Sequence, residues 1–388
     1  MTRHVILLLS LLGVVGHAFA QDGNQFILKR YSPELSFAVM DSIHGAQTMI
    51  IEYPQFLVLV EMPLIDEGGG KARDLKEDTL RAKVFGDWLH GQYSDKQIKY
   101  ILSSHWHLHS LSGVTPFARN GTKIITTKLN WSYALDNGLI SGDDVNAVKP
   151  NIVEIAHDTT ILSDTEFPIR ILYLDSTYSN KPTKDYLFFY LEKQRYLHAS
   201  CMAAVSSVDL PKTGSYVYHE RLVDLNRLIE EKRIRVDKLI RLGRESFKNG
   251  QFVPGVYDYA AVEQYIKNGK SPQESMRPFI ALSADQIQAQ RDSILTELIR
   301  QNIPHFAINK AVYECIKNGE FAKALLFAQI LALHSPGILD FIDTLGEAYF
   351  LNGNTVVADH ISEYLFSRDP KWSGGKKVWE KNQLDKTY

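Results

Sequence analysis

Three histidines lie within the segment Ser104-His105-Trp106-His107-Leu108-His109-Ser110. Histidine is the commonest protein ligand of transition metals and a frequent acid–base group, because its imidazole changes charge near neutral pH. His105 and His107 are two residues apart, and on a loop that leaves a strand this spacing lets both rings point at one ion. A lone histidine is more often a packed or solvated residue than a ligand, so it is the clustering that indicates a metal site.

Other catalytic patterns are weak. The sequence contains no Gly-x-Ser-x-Gly nucleophile elbow and no phosphate-binding Gly-x-x-x-x-Gly-Lys-Ser/Thr loop. Cys201 follows His198 by three residues on a predicted strand, and side chains at that spacing point to opposite faces of a regular strand. A thiol nucleophile is therefore a minor alternative, and His198 is expected to be a packed residue.

The elements that must position the histidines alternate between short β-rich runs and helical patterns from residue 21 to about residue 270. Two strands are predicted around a tight turn at Pro54, and residues 98–102 form the predicted strand that leads into the histidines. Residues 75–91 carry spaced apolar side chains among charges, which is typical of an amphipathic helix. Mixed strands and helices over this length predict a layered α/β domain.

The pattern becomes helical towards the C-terminus. Three features recur there after 34 residues: Asn318-Gly319 as Asn352-Gly353, Ala324 as Ala358, and Ser335-Pro336 as Asp369-Pro370. This repeat resembles the tetratricopeptide repeat, in which two antiparallel helices cross closely at a small residue. A generic pair of helical hairpins is the alternative.

The first twenty residues have the features of a secretory signal peptide. Arg3 and His4 precede an apolar run, and Ala18-Phe19-Ala20 is a small-x-small cleavage pattern. The run is shorter than the ~20 apolar residues that a membrane span needs, so cleavage is expected rather than an uncleaved anchor. The mature chain is predicted to be periplasmic or secreted, with no membrane span.

The composition is that of an ordinary globular protein, with 45% hydrophobic and 23% charged residues in a chain of 388. The charges nearly balance, at 43 Lys+Arg and 45 Asp+Glu, so no overall positive charge exists to attract nucleic acid. Two cysteines, Cys201 and Cys315, cannot build a disulfide framework or a cysteine-rich zinc module. A bridge between them is not expected, because they fall in different predicted domains.

The histidine segment and its surroundings resemble the metallo-β-lactamase fold superfamily. The family pattern is a strand, then Thr/Ser-His-x-His-x-Asp-His, then Gly-Gly. The matching positions of this chain are Ser104, His105, His107, His109, Ser110 and Gly113. The hairpin and helix before the motif and the strands after it agree over roughly residues 30–250. The resemblance implies an αββα sandwich with a site at one edge of its sheets, usually holding one or two zinc ions.

Most of the family's ligands are replaced in this chain. The resemblance puts His109 in place of the motif Asp and Ser110 in place of the last motif His. The family's third His should fall within residues 176–180, which contain no histidine. The bridging Asp falls at Ser200 or Cys201, with Cys201 the better fit, and the final His falls at Gly243 or Arg244. His105 and His107 are therefore the only standard ligands that carry over.

Zinc in a catalytic site usually has three protein ligands and one open position, so two imidazoles alone would hold it weakly. An altered set of His105, His107, His109 and Cys201 is chemically able to bind zinc. Four protein ligands, however, favour a closed, structural site. The cofactor is therefore predicted to be either none or zinc.

The sequence as a whole predicts a signal peptide at residues 1–20, a metallo-β-lactamase-like domain at residues 21–270, a linker at residues 271–283 and an all-α tetratricopeptide-like segment at residues 284–388. The favoured function is that of an exported pseudoenzyme, non-catalytic or weakly active, which binds a small molecule at the sandwich edge or a protein or peptide through its C-terminal helices. The alternative is a metal-dependent hydrolase that uses the altered ligand set on an ester, lactam or thioester. A purely structural role of the helices, in docking or dimerisation, is a third hypothesis.

Overall fold

A computed structural model gives the fold of the chain. It describes residues 26–40, 46–62, 75–136, 138–140, 144–175, 177, 181, 183–205, 210, 219–248, 251–370, 372 and 374–385. The predicted signal peptide lies outside these residues, as does most of the segment 176–180. Among the described residues, no helix combines the length and the apolar character that a membrane span requires.

The described strands form two large sheets and one small hairpin. In chain order they are β1 (Phe26–Arg30), β2 (Leu35–Met40), β3 (Thr48–Glu52), β4 (Phe56–Val60), β5 (Gln97–Leu102), β6 (Lys123–Thr126), β7 (Ile152–Glu154), β8 (Thr159–Ile161), β9 (Ile169–Leu174), β10 (Tyr186–Leu191), β11 (Tyr196–Ser200), β12 (Lys238–Arg241), β13 (Ser246–Lys248), β14 (Gln251–Val253) and β15 (Val256–Asp258). The first sheet runs β1-β2-β3-β4-β5-β6-β7, and the second runs β15-β12-β11-β10-β9-β8. The hairpin pairs β13 with β14.

The helices that accompany the sheets are α1 (Leu75–Gln92), α2 (Leu108–Leu111), α3 (Thr115–Arg119), α4 (Lys128–Asp136), α5 (Val145–Val148), α6 (His219–Glu231) and α7 (Tyr259–Asn268). Strands β4 to β7 pair in parallel, and so do β11 and β12. Parallel neighbours need a crossover connection, which α1 provides between β4 and β5 and α6 provides between β11 and β12. The α1 prediction from residues 75–91 is confirmed.

The two sheets pack face to face, with helices against both outer faces. Successive residues of a strand point to opposite faces. Phe189 accordingly lies in the core between the sheets, whereas Phe188 packs under α6. Phe85 of α1 lies in the core on the outer face of the first sheet. The αββα sandwich that the family resemblance implied is confirmed by these layers and this strand order.

The C-terminal part of the chain is all-α, as predicted. Its helices are α8 (Pro272–Ile280), α9 (Ala284–Arg300), α10 (His305–Lys317), α11 (Phe321–His334), α12 (Leu339–Leu351), α13 (Thr355–Arg368) and α14 (Lys376–Asp385). The pair α10 and α11 recurs as α12 and α13 after 34 residues. Ala324 and Ala358 are both buried, which agrees with the need for a small side chain at such positions. The tetratricopeptide assignment and the domain boundaries stay predictions, and the segment predicted as a linker contains α8.

Both cysteines are free thiols. Cys315 is buried in the core of the helical segment, whereas Cys201 is partly exposed at the edge of the sandwich. The expectation that they do not pair is therefore confirmed.

Candidate metal centre

The histidine loop follows β5 at one edge of the sandwich. The Ser103 N–H donates to the Ile125 carbonyl of β6 at 2.9 Å, and the Leu187 N–H of β10 donates to the Ser104 carbonyl at 2.8 Å. The first bond ties the loop to its own sheet, and the second ties it to the opposite sheet. His105 and His107 lie on this loop and His109 lies in the single turn of α2, so all three are held where the two sheets meet.

Cys201 comes from the second sheet. It follows β11 directly, after Ser200, whose φ of 47° lies in the left-handed region. The Met202 N–H closes this turn by donating to the Ala199 carbonyl at 3.0 Å. The turn brings the thiol to the same edge as the histidine loop, which lies 92 residues earlier.

The four predicted ligands converge in the structure. One donor atom from each of His105, His107, His109 and Cys201 lies within 4.8 Å of all the others. Nε2 of His109 is 3.2 Å from Nε2 of His105 and 3.5 Å from Sγ of Cys201. His105 and His109 are buried, whereas His107 and Cys201 are partly exposed. Among the described residues, these are the His, Cys, Asp and Glu side chains that cluster closely enough to hold an ion.

This donor set fits zinc. Bonds of about 2.0 Å to nitrogen and 2.3 Å to sulfur in a tetrahedral shell separate two nitrogens by ~3.3 Å and a nitrogen from sulfur by ~3.5 Å. The separations from His109 Nε2 to His105 and to Cys201 are close to those values. Ser104 Oγ lies 2.6 Å from Nδ1 of His105, which orients this ring with Nε2 towards the cluster. The four side chains thus have the chemistry and the arrangement that zinc needs.

The protonation of His105 favours metal binding. Burial holds the pKa of His105 well below its ordinary value, and the neighbouring His109, His107 and Arg221 lower it further. Metal coordination requires the neutral form of the imidazole. His105 is therefore ready to act as a ligand across the physiological pH range.

Glu61 is a buried carboxyl group at the site that the sequence reasoning did not single out. It follows β4, has a φ of 62° and is fully buried. Its Oε1 accepts the Ser104 N–H at 3.1 Å, and its own N–H donates to the Leu102 carbonyl at 3.0 Å. Burial raises the pKa of Glu61, against the opposing influence of His109. Its place after β4, at the sheet edge where the histidine loop begins, was the available signal.

The other family ligand positions hold residues with structural contacts. Gly243 forms an isolated bridge with Ala46, which lies just before β3, and Ser110 Oγ lies 2.7 Å from Ser103 Oγ. Gly243, Ser110 and Arg244 carry no imidazole, thiol or carboxylate that could act as a standard zinc ligand.

His198 is packed inside the sandwich, as predicted. It lies on β11 opposite Phe189 and is fully buried. Burial lowers its pKa to about 3. Neither ring nitrogen has a hydrogen-bond partner among the described residues, so this side chain is a neutral group in an apolar core.

Acid is expected to destabilise the protein through His198. The pKa of His198 is about 3 in the folded protein and ~6.5 in the unfolded chain, so between these pH values the unfolded chain binds more protons than the folded protein. The contribution of neutral His198 to the free energy of unfolding is therefore complete above pH ~6.5 and decreases as the pH falls. The free energy of unfolding is measured in urea at pH 7 and at pH 5 on chelator-treated samples. Its decrease between the two pH values should be about 2 kcal/mol smaller in His198→Leu than in the wild type. A His360→Gln control, with a side chain 75% exposed, should follow the wild type. Equal pH dependence in His198→Leu and the wild type would contradict this assignment.

The chain is similar in structure to several solved metallo-β-lactamases. Neither a protein-family model nor a curated protein matches the chain. The chain is similar to a metallo-β-lactamase from Pontibacter korlensis, with 15% identity and a TM-score of 0.43, over 63% of this chain and 100% of that one. It is similar to the metallo-β-lactamase FIM-1 from Pseudomonas aeruginosa in its mono-zinc form, with 14% identity and a TM-score of 0.42, over 64% and 97% of the two chains. A metallo-β-lactamase from Hirschia baltica has 12% identity and a TM-score of 0.39, over 63% and 99%.

The fold is defined by the layers and the strand order of the sandwich, with the histidine loop at the edge where its two sheets meet.

Proposed function

We propose that this chain is a metal-binding protein of metallo-β-lactamase fold that is non-catalytic or only weakly hydrolytic. Its ion, by preference zinc, is held by His105, His107, His109 and Cys201. The observation that carries the proposal is the convergence of these four donor atoms within 4.8 Å. Thiolate and imidazole together suit zinc, whereas oxygen ligands would be needed for magnesium or calcium.

The number of donors is the reason for proposing weak catalysis. When bound in such a fold, zinc supplies Lewis acidity towards water or a carbonyl group. Four protein donors fill a tetrahedral shell, so water gains access only when one of them leaves. The Glu61 carboxyl group is fully buried and its Oε1 accepts the Ser104 N–H, so it supports the loop out of contact with bulk water.

One observation favours the alternative of a metal-dependent hydrolase. His107 and Cys201 are partly exposed, so small molecules can reach the side of the cluster that these two donors form. In that function, His105, His107, His109 and Cys201 would hold the ion, and the ion would polarise the carbonyl group of an ester, lactam or thioester. This function needs both a bound metal and measurable turnover.

The proposal predicts about one tightly held zinc per chain. Metal analysis of the purified full-length protein should show this stoichiometry, and a strong chelator followed by added zinc should remove and restore it. The kcat/KM towards a chromogenic lactam, an aryl ester and a thioester should stay far below ~10⁴ M⁻¹ s⁻¹, the lower end of the range of ordinary enzymes. A protein that retains no zinc contradicts the metal-binding proposal. A zinc-dependent kcat/KM within the range of ordinary enzymes would contradict weak catalysis and support the metal-dependent hydrolase.

We also propose export of the chain and a protein or peptide partner for its C-terminal helices. Export rests on the pattern of residues 1–20, and the partner rests on the helical repeat. Expression with its own N-terminus, followed by determination of the first residue of the mature protein, tests the first point. Cleavage after Ala20 and recovery outside the cytoplasm are expected.

A further inference from the structure

Tyr186, the first residue of β10, contacts both the histidine loop and the turn that carries Cys201. Its side chain is fully buried, and its ring stacks on the imidazole of His105, with ring centroids 4.8 Å apart and planes inclined by 24°. Its hydroxyl donates to the Ala199 carbonyl at 3.2 Å. Two different parts of one side chain therefore reach the surroundings of a metal donor from each sheet.

The stacked ring restricts a motion of His105 that its hydrogen bond leaves free. Ser104 Oγ contacts Nδ1 of His105 at 2.6 Å, and a hydrogen bond at this atom acts near the plane of the imidazole. The imidazole can still tilt about that bond. A buried aromatic ring at stacking distance opposes the tilt, because close-packed interiors leave little room for it. The hydrogen bond and the stack together fix the direction of Nε2.

The hydroxyl of Tyr186 acts on Cys201 through the backbone. The Ala199 carbonyl that accepts this hydroxyl also accepts the Met202 N–H at 3.0 Å, so it belongs to the turn in which Cys201 lies. Within this turn Ser200 has a φ of 47°, in the left-handed region that few residues other than glycine adopt readily. Such a conformation persists only where the surrounding structure holds it, and the hydroxyl supplies one buried contact that does so.

We infer that Tyr186 is a positioning residue of the proposed metal centre, which sets the direction and separation of the His105 and Cys201 donors across the two sheets. The inference rests on the proposed metal-binding function and adds a residue that does not itself touch the ion. Residues behind the ligands raise metal affinity because they fix the ligands before the metal arrives. The ring acts on His105 and the hydroxyl acts on Cys201, so the two parts can be removed separately.

Two substitutions separate the two parts of this side chain. Tyr186→Phe keeps the ring and removes the hydroxyl, and its zinc affinity should be about tenfold lower than that of the wild type. Tyr186→Leu removes both parts, and its zinc affinity should be about a hundredfold lower. Competition of the full-length protein against a chromogenic chelator measures both values. In cobalt-loaded Tyr186→Phe, the thiolate-to-cobalt absorption band should also change, because it depends on the geometry of the bond between Cys201 and the metal.

The matched control lies on the same face of the same strand. Tyr190 is also buried, and its hydroxyl donates to the Arg235 carbonyl at 2.6 Å. Tyr190→Phe therefore removes a hydrogen bond of the same kind, and it should leave the zinc affinity and the cobalt spectrum unchanged even where the fold loses stability. Equal losses of zinc affinity in Tyr190→Phe and Tyr186→Phe would indicate a general effect on the fold and overturn the positioning role.

A double substitution tests whether the hydroxyl acts through the thiol. Cys201→Ala removes the donor that the hydroxyl is inferred to position, so adding Tyr186→Phe to this variant should lower its zinc affinity by less than about twofold. A tenfold loss in the Cys201→Ala background would contradict the assigned route through the Cys201 turn.

Zinc analysis of the wild-type protein separates this inference from the proposed function. If the wild type retains one zinc and Tyr186→Phe has the same zinc affinity and the same cobalt spectrum, the positioning role alone is wrong. If the wild type retains no zinc, the metal-binding function is wrong and the positioning role falls with it. Should Tyr186→Leu fail to fold, Tyr186→Phe decides the question, because it keeps the buried ring.

Discussion

Replacing both His105 and His107 with alanine is expected to abolish tight zinc binding. The variant keeps only His109 and Cys201, and two donors hold zinc weakly. Loss of an outer-shell partner of a ligand already costs about 10–100-fold in metal affinity, so loss of two ligands should cost well over a hundredfold. Competition against a chromogenic chelator measures the affinity, and metal analysis of the purified variant should find almost no zinc.

The matched control replaces two exposed histidines that do not belong to the donor cluster, His157 and His360. This double variant should bind zinc like the wild type, and circular dichroism should show that both variants are folded. Cys201→Ser tests the contribution of the second sheet separately and should weaken zinc binding as well. If the His105/His107 variant holds one zinc with wild-type affinity, the ion lies elsewhere and the proposed site is wrong.

Glu61→Ala is expected to destabilise the fold and to weaken metal binding together. The substitution leaves the buried Ser104 N–H without its acceptor and opens a cavity below the histidine loop. The unpaired donor costs about 1–3 kcal/mol and the cavity adds to this, so a total loss of about 3–5 kcal/mol is expected. Urea unfolding of chelator-treated protein measures the loss. Zinc affinity should fall about 10–100-fold, because Ser104 also orients His105.

Two variants serve as references for Glu61→Ala. Glu61→Gln keeps an oxygen that can accept the Ser104 N–H, so it should recover most of the stability and of the zinc affinity. Glu192→Ala removes an exposed carboxylate and should change stability by less than about 0.5 kcal/mol. If Glu61→Ala unfolds like the wild type, or if Glu61→Gln is as damaging as alanine, Glu61 does not support the loop in the way described.

The position of the metal ligands shows how far the sequence could be taken. His105 and His107 were identified from their spacing after a predicted strand. His109 and Cys201 were added only through the family resemblance. The structure brings all four together because β5 and β11 end at the same edge of the sandwich. Whether the four bind a metal stays a prediction.

Glu61 was not assigned from the sequence, although its position directly after β4 was an available signal. It belongs to no motif, and a single charged residue is usually solvated. Burial made Glu61 significant, because a carboxyl group away from water must find hydrogen-bond donors, and Ser104 provides one.

The sequence by itself determined the class of the protein. Alternating apolar residues predicted the strands, the 34-residue recurrence predicted the helical segment, and the histidine spacing predicted the place of the site. These features could be recognised because they depend on neighbours close in the chain. The tertiary structure decided which side chains meet. Cys201 lies beside His109 across 92 residues because packing the two sheets face to face brings their edges together. The Glu61 carboxyl group lies under the Ser104 N–H across 43 residues because β4 and β5 are parallel neighbours in the first sheet.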